Sequence, residues 1–147
     1  MASIGLGVDT SGLDLTSKEI ERISLEVIKG SGEKFIELHL IRTKKGLDVN
    51  DSRMPDVSAF TAKKVGRTTR TLDDTGQMLR AMVARRPQGR GSKVSIVVGI
   101  FNGKQARKAR KNQDRYPWFG PSPQLVRRLQ RWQQKDFDKR VEAMNRR

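Results

Sequence analysis

Residues 70–101 decide the fold, and they read RTLDDTGQMLRAMVARRPQGRGSKVSIVVGIF. Two segments of this stretch predict a β-hairpin: residues 81–85 form one arm, and residues 93–101, which alternate and are rich in Val and Ile, form the other. Residues 86–91 contain a proline and two glycines, which favour a turn between the arms. We therefore expect the centre of a small sheet here.

The sharpest short motif in the same stretch is Asp73-Asp74-Thr75-Gly76. Its last three residues, preceded by Leu72, are similar to the active-site turn of retroviral-type aspartic proteases, in which each of two chains supplies one Asp. Those enzymes are nearly all strand, whereas helical stretches follow Gly76 here. We favour a structural turn, because Asp and Thr side chains bond nearby backbone N–H groups and Gly tolerates a positive φ.

Length and composition indicate a single domain over residues 1–147. The chain is 35% hydrophobic, 32% charged and 5% aromatic, so we expect a modest core with extended, solvated arms. It contains no cysteine, which excludes disulfides, thiolate metal sites and cysteine nucleophiles. No apolar run approaches the roughly 20 residues that span a bilayer, and Asp9 comes too early for a signal peptide, so we expect a soluble, unexported protein without a membrane partner.

The net charge of +15 is unevenly divided. Residues 1–62 contain 8 Lys and Arg against 10 Asp and Glu, whereas residues 63–147 contain 23 against 6. The two parts therefore carry −2 and +17. Such asymmetry indicates either a polyanionic partner or copies of the chain that stack acidic surface on basic surface.

The first third of the chain predicts a flexible arm and then helix. Residues 1–15 are rich in Gly, Ser and Asp and are assigned to the arm. Thr16 and Glu19 fit a capping box, so a helix should begin near residue 17. Gly30 and Gly32 are expected to break that helix.

The next segments are less regular. Residues 35–41 fit either a second helix or a strand, and we favour the helix. Residues 43–70 show no periodic pattern and predict a long loop, of the kind that is functional or is ordered only by a partner.

After the hairpin, Asn102-Gly103 marks a turn, and residues 103–121 are predicted to be a basic and aromatic loop. Residues 122–147 predict a C-terminal helix, capped by Ser122 and with Pro123 in its first turn. The predicted fold class is α+β, a small antiparallel sheet flanked by N-terminal and C-terminal helices, with a long loop and extended arms.

The basic and aromatic loop supplies the candidate binding residues. Its cations, which no acid interrupts, are Lys104, Arg107, Lys108, Arg110 and Lys111. They could contact phosphate, lie in solvent, or dock on an acidic neighbouring subunit, but they lack interleaved aromatics for base stacking. We favour docking, because the first third of the chain offers an acidic set: Glu19, Glu21, Glu26, Glu33 and Glu37.

Residues 116–121, Tyr-Pro-Trp-Phe-Gly-Pro, predict a rigid aromatic corner. In one interpretation the corner caps the core. In the other, Trp118 and Phe119 present rigid apolar area to another chain at small entropic cost.

The sequence indicates no catalytic constellation, no metal site and no cofactor. His39 is the only histidine, and with Glu37 alone nearby it completes neither a metal site nor a Ser-His-Asp relay. Gly89-Arg90-Gly91 lacks the strand-to-helix context and the Lys-Ser/Thr ending of a phosphate-binding loop. We therefore expect a chain that is not an enzyme.

Three segments taken together resemble the bacteriophage virion-morphogenesis, or tail-completion, family of Mu-like and related tailed phages. The first is Gly-Leu-Asp-Val-Asn-Asp at residues 46–51, followed by Met-Pro-Asp-Val-Ser-Ala-Phe-Thr-Ala-Lys-Lys at residues 54–64. The second is residues 71–80, similar to a Leu-x-x-Thr-Gly-x-Leu element of the family. The third is residues 115–122, similar to an Arg-Pro-aromatic-Leu-Gly-x-Ser ending that precedes a C-terminal helix.

The resemblance implies a structural α+β protein that forms a ring, a hexamer, at the head-proximal end of the phage tail. There it would end tail-tube growth and join the tail to the head. Its implied partners are identical subunits, tail-tube and sheath proteins, head-connector proteins, and DNA in the channel through non-specific contact. Its implied location is the virion neck, and the host cytoplasm during assembly. A head-closure or connector ring, a basic nucleic-acid-binding protein and a protease built on Asp74 are the alternatives.

Overall fold

A computed structural model describes residues 1–72 and 76–146. The chain combines helices with a small four-stranded antiparallel sheet, as the predicted fold class requires. In chain order the elements are β1 (Ala2–Gly5), α1 (Ser17–Lys44), α2 (Ala59–Val65), α3 (Gln77–Arg80), β2 (Met82–Ala84), β3 (Gln88–Arg90), β4 (Lys93–Ile100), α4 (Gly103–Arg115) and α5 (Pro123–Asn145).

Strand β4 is the centre of the sheet and pairs antiparallel with the other three strands. The predicted hairpin is confirmed, since β2 and β3 both pair with β4. Its turn is displaced from the predicted position: residues 88–90 continue the ladder as β3, and the chain reverses between the paired residues Arg90 and Lys93. Gly91, with φ of 58°, supplies the left-handed conformation that this two-residue turn needs.

One face of the sheet is buried against α1. Along β4 the buried side chains Val94, Ile96 and Val98 alternate with half-exposed or exposed ones, which is the period of a strand with one face on the core. The opposite face carries Val83, which is 47% exposed.

The predicted flexible arm over residues 1–15 is wrong for its first part. Ala2–Gly5 forms the edge strand β1, with Ala2 opposite Val98 and Ile4 opposite Ile96. The side chains of Ala2 and Ile4 are buried in the core. Two apolar positions separated by one residue were a strand signal that the Gly and Ser content obscured.

The predicted helix break at Gly30 and Gly32 is also wrong, because α1 runs without interruption from Ser17 to Lys44. The two glycines are close-packing positions instead. A Cβ at Gly30 would lie 2.7 Å from the ring of Trp132 in α5. A Cβ at Gly32 would lie 2.7 Å from the Cβ of Ala84 in β2, so α1 approaches a neighbour on each side.

Helices α1 and α5 lie antiparallel, and both have the predicted caps. Thr16 and Glu19 form the capping box of α1, and Ser122 caps α5 with Pro123 in its first turn. Residues 35–41 are helical as favoured, although they belong to α1 rather than to a second helix. The core is thus layered, with α1 lying between the sheet and α5.

Two predicted loops contain helices. The long loop over residues 43–70 includes the last residues of α1 and the short helix α2. The basic and aromatic loop over residues 103–121 begins with α4, a helix of 13 residues. Its Ala, Gln, Lys and Arg residues are strong helix formers, and this propensity outweighs the repulsion between their charges. The motif residues Asp73, Asp74 and Thr75 lie outside the described residues.

Candidate interaction surface

Helix α4 begins where the backbone N–H of Gln105 donates to the Oδ1 of Asn102 at 3.3 Å. One side of the helix lies on the protein, with half-buried Ala106, Ala109 and Asn112. The small alanine side chains let the helix backbone approach its neighbours closely, so the helix is held by contacts on one side alone. No residue in this fully described helix is buried.

The five predicted cations of α4 are all exposed. Lys104, Lys108 and Lys111 recur at intervals of four and three residues, so they form a stripe along one exposed side of the helix. Within the described part of the chain, none of the five forms an ion pair. This cationic stripe is therefore available to an anionic partner.

The aromatic corner ties α4 to the core. Trp118 is fully buried, and its indole Nε1–H donates to the carbonyl of Ala109 at 3.3 Å. Trp118 is thus a core residue of this chain, and the interpretation that it presents apolar area to another chain is wrong. Phe119 is half-buried, and Gln113 holds its backbone N–H through a 2.9 Å hydrogen bond.

A half-open groove of about 350 Å³ lies beside this corner. It brings three of the predicted residues together, Arg110, Trp118 and Phe119. The remaining lining comes from Met1 just before β1, from Ile100 in β4 and from three residues of α4, namely Ala106, Ala109 and Gln113. The other four cations do not line the groove. The predicted binding set therefore divides into a cationic stripe and an apolar groove.

His39 lies in the aromatic cluster behind the corner, with its ring 5.4 Å from that of Trp118 and 5.1 Å from that of Phe119. The backbone N–H of Gly120 donates to Nε2 at 3.4 Å, so the Nδ1 nitrogen carries the proton and faces the Oγ1 of Thr43 at 3.3 Å. Burial, together with the positive charge of Arg42, lowers the pKa of His39 to about 3. His39 is therefore neutral and structural.

The acidic set proposed as the docking surface is largely occupied within the chain. Glu19 completes the capping box, Glu21 accepts the backbone N–H of Gly91 at 2.9 Å, and Glu26 pairs with Arg140. Glu37 pairs with Lys34 at 3.1 Å. The two ion pairs offset part of the negative charge of α1, whereas the hydrogen bonds of Glu19 and Glu21 hold their carboxylates in place without neutralising them.

A second exposed apolar feature is Phe60 on α2, a residue that is 81% exposed. Helix α2 covers a cleft whose far wall includes Lys108 and Asn112, whereas the apolar groove uses Ala106 and Arg110. Phe60 and the groove therefore lie toward different sides of α4. Sequence analysis placed Phe60 in a loop and assigned it no role, because a single exposed aromatic carries no periodic signal.

Arg42 is the other residue that sequence analysis missed. It is 5% exposed, and its Nη2 donates to the carbonyl of Trp118 at 2.7 Å. The sequence could have placed Arg42 on the buried face of the helix, since Phe35, His39 and Arg42 lie at intervals of four and three residues on one helix face. A cation on an apolar face indicates either a buried partner or a site.

Residues 1–72 and 76–146 contain no metal-binding group of three or more His, Cys, Asp or Glu residues. In the same described ranges no helix combines the length and apolarity needed to cross a membrane. Comparison of the chain with models of protein families, with curated proteins and with solved structures finds no match.

Proposed function

We propose that this chain is a structural subunit that repeats in a ring in the neck of a tailed phage, where it ends tail-tube growth and joins the tail to the head. The three-segment resemblance to the tail-completion family motivates the proposal. A head-closure or connector ring at the same place is the nearest alternative, since it needs the same kind of subunit.

The observation that carries the proposal is the pair of unlike apolar surfaces on one chain. Phe60 stands out from α2 at 81% exposure, and the groove of about 350 Å³ beside Trp118 is large enough to take a phenylalanine side chain. Because the two features lie on different sides of α4, one copy can insert Phe60 into the groove of the next. Contacts between two different surfaces repeat from copy to copy, and they generate a ring when the rotation closes.

The cationic stripe supports the inference that this chain binds a partner of opposite charge. Lys104 and Lys108 are four residues apart, as are Arg107 and Lys111, and like charges at this spacing destabilise a helix by a few tenths of a kcal/mol. An anionic partner would relieve this repulsion. DNA in the channel of a ring, or the acidic residues of a head or tail protein, would fit.

The test is the oligomeric state of the purified chain. Analytical ultracentrifugation and negative-stain microscopy should show rings, alone or on added tail tubes. Phe60→Ser should shift the chain to monomer while leaving its circular dichroism unchanged. The matched control is Val83→Ser, which also removes an exposed apolar side chain, 47% exposed, but lies on the sheet. A chain that stays monomeric at every concentration and ignores tail tubes would refute the ring.

A nucleic-acid-binding protein is the second candidate, and the unpaired stripe on α4 favours it. A filter-binding titration separates the two, because each phosphate contact contributes about −0.9 to the slope of log affinity against log salt. Monomeric binding with a steep slope, lost when Lys104, Lys108 and Lys111 are changed to Gln, would favour this second function.

A further inference from the structure

The N-terminal segment, residues 1–9, is held by two elements that follow much later in the chain. Its strand β1 pairs with β4, and the pairing continues to Leu6, whose backbone N–H donates to the carbonyl of Val94 at 3.2 Å. Beyond the strand, the backbone N–H groups of Gly7 and Asp9 donate to side-chain amides of α5 at 2.9 and 3.2 Å. The backbone of this segment is therefore bonded to β4 and α5.

A turn joins the N-terminal segment to α1. The backbone N–H and the hydroxyl of Ser11 donate to the Oδ1 of Asp9 at 2.9 and 2.7 Å, and Gly12 adopts a left-handed φ of 72°. A Cβ at Gly12 would have no described atom within 4 Å, so the turn stands clear of the core. In the described ranges, no hydrogen bond joins residues 10–15 to the sheet or to α5. The turn can therefore straighten while every bond of the segment to β4 and α5 is kept.

Withdrawal of the segment would leave a defined site on the rest of the molecule. Ala2 and Ile4 are 6% and 7% exposed within the core, so their removal would open a cavity beside β4. One edge of β4 would lose its hydrogen bonds, and the buried amide of Gln133 would lose those to Gly5 and Gly7. Buried groups without partners are costly, so this site requires an extended segment with small or apolar side chains at alternate positions.

The segment that fits this site is the N-terminal segment of a second copy. We propose that residues 1–9 exchange between copies of this chain, so that β1 of one copy pairs with β4 of another. Every contact of the segment is then reproduced, and only the turn changes its conformation. With the turn extended, residues 10–16 span about 23 Å, at roughly 3.3 Å per residue. The inference requires a second copy whose β4 lies within that reach, but it does not require the proposed ring.

The balance between closed and exchanged arrangements depends on concentration. Within one chain, a short linker holds the segment at an effective concentration on the order of millimolar. At micromolar protein the closed arrangement therefore predominates, and local opening releases the segment only transiently. A covalent trap accumulates the exchanged copies, and copies that other contacts hold side by side exchange more readily.

The absence of cysteine from the chain makes a disulfide trap possible. Because Leu6 and Val94 form a hydrogen-bonded pair, Ser3 and Val97 form a non-hydrogen-bonded pair, whose Cα atoms are about 4.5 Å apart in antiparallel sheets. This separation suits a disulfide. Ser3→Cys and Val97→Cys are made in separate full-length chains, mixed and oxidised. The mixed disulfide, identified by mass spectrometry, should accumulate with time.

A mixture of Ser3→Cys with Val83→Cys measures chance collisions. Val83 is more exposed than Val97, but it lies in β2, on the other edge of β4. The Val97 mixture should yield about tenfold more mixed disulfide than this control, because strand pairing raises the effective concentration of the two thiols. Equal yields in the two mixtures would refute the exchange.

The turn provides a second measurement. Valine disfavours the left-handed conformation of Gly12 but fits an extended turn, so Gly12→Val in both chains should raise the yield of mixed disulfide several-fold. The matched control is Gly66→Val, since Gly66 also has a left-handed φ, of 73°, and no described atom within 4 Å of an added Cβ. An equal response of the two variants would overturn exchange through this turn.

The exchange and the ring can fail separately. The Phe60→Ser chain, which should not form rings, should still give the mixed disulfide between Ser3→Cys and Val97→Cys copies. Rings that form while the mixed disulfide stays at the level of the control would retain the ring and refute the exchange.

Discussion

Helices α1 and α4 meet the rest of the molecule in opposite ways. Helix α1 is enclosed by the sheet and α5, and ten of its residues are buried. Helix α4 has no buried residue in its fully described length, and it is held through its alanines and Trp118. The buried face of α1 includes small side chains such as Ser24, Ser31 and Gly32, because a helix between two layers needs close approach on both sides.

The comparison shows that buried residues and exposed charges are concentrated in different helices of the chain. The stability of the molecule depends on α1 and its neighbours, whereas α4 and α2 are free to carry exposed charge and an exposed aromatic. Substitutions in α1 and its neighbours should alter the free energy of unfolding. Substitutions in α2 and α4 should alter association with other molecules.

The largest difference should come from two phenylalanines of opposite burial. Phe35 in α1 is fully buried, so Phe35→Ala should lower the free energy of unfolding by about 3–5 kcal/mol. Phe60 in α2 is 81% exposed, so Phe60→Ala should change it by less than about 0.5 kcal/mol. Urea unfolding of monomeric protein measures both. Comparable losses would mean that α2 is covered by its own chain.

Two glycines give a smaller contrast. Gly32→Ala places a Cβ 2.7 Å from Ala84 and 2.9 Å from Ile96, so we expect a loss of about 1–3 kcal/mol from overpacking. Gly103 begins α4 with no described atom within 4 Å of the added Cβ, so Gly103→Ala should stabilise by about 0.4–1 kcal/mol. Chemical denaturation of the two variants measures both effects. A neutral Gly32→Ala would show that α1 can move away from the sheet.

The pH dependence sharpens the comparison further, because His39 belongs to the α1 layer. Its pKa is about 3 in the folded chain, below the ordinary value of 6.5, so the unfolded chain binds more protons between these values. Stability is therefore lost as pH falls. We expect a loss of about 1.5 kcal/mol between pH 6.5 and 5 in urea unfolding.

His39→Asn is the control for the pH prediction. It should lower stability at pH 6.5 but flatten the dependence in this window, where the carboxylates of the chain are still largely ionised. An unchanged slope in the variant would assign the pH dependence to other groups.

The sequence predicted elements well where local chemistry and tertiary packing agree. The capping box at Thr16, the cap at Ser122 and the alternating pattern of β4 each encode their own structure within a few residues. It failed at Gly30 and Gly32, whose role depends on Trp132 and Ala84, residues far away in the chain. In the sequence, a glycine that ends a helix cannot be distinguished from a glycine that allows a neighbour to pack closely.

The candidate interaction surface was predicted only in part, because some of its features are local in the sequence and others depend on distant contacts. A run of cations can be counted in the sequence, and all five are exposed. The burial of Trp118 could not be read from its neighbours, because it is determined by contacts with His39 and Ala109. The N–H donors of Arg42 that lack a partner in the described part of the chain likewise depend on how distant parts of the chain pack against α1, which no local pattern predicts.

Gln133 joins segments that lie at opposite ends of the chain. From α5, its amide accepts the backbone N–H of Gly7 at 2.9 Å, and donates to the carbonyl of Gly5 at 3.1 Å and to Ser31 at 3.0 Å. The first strand thus acquires its full set of bonds only after residue 133 has been synthesised. On the ribosome β1 can pair with β4 once residue 100 has been made, but the contacts that fix the end of β1 against α1 and α5 form only after nearly the whole chain has been synthesised.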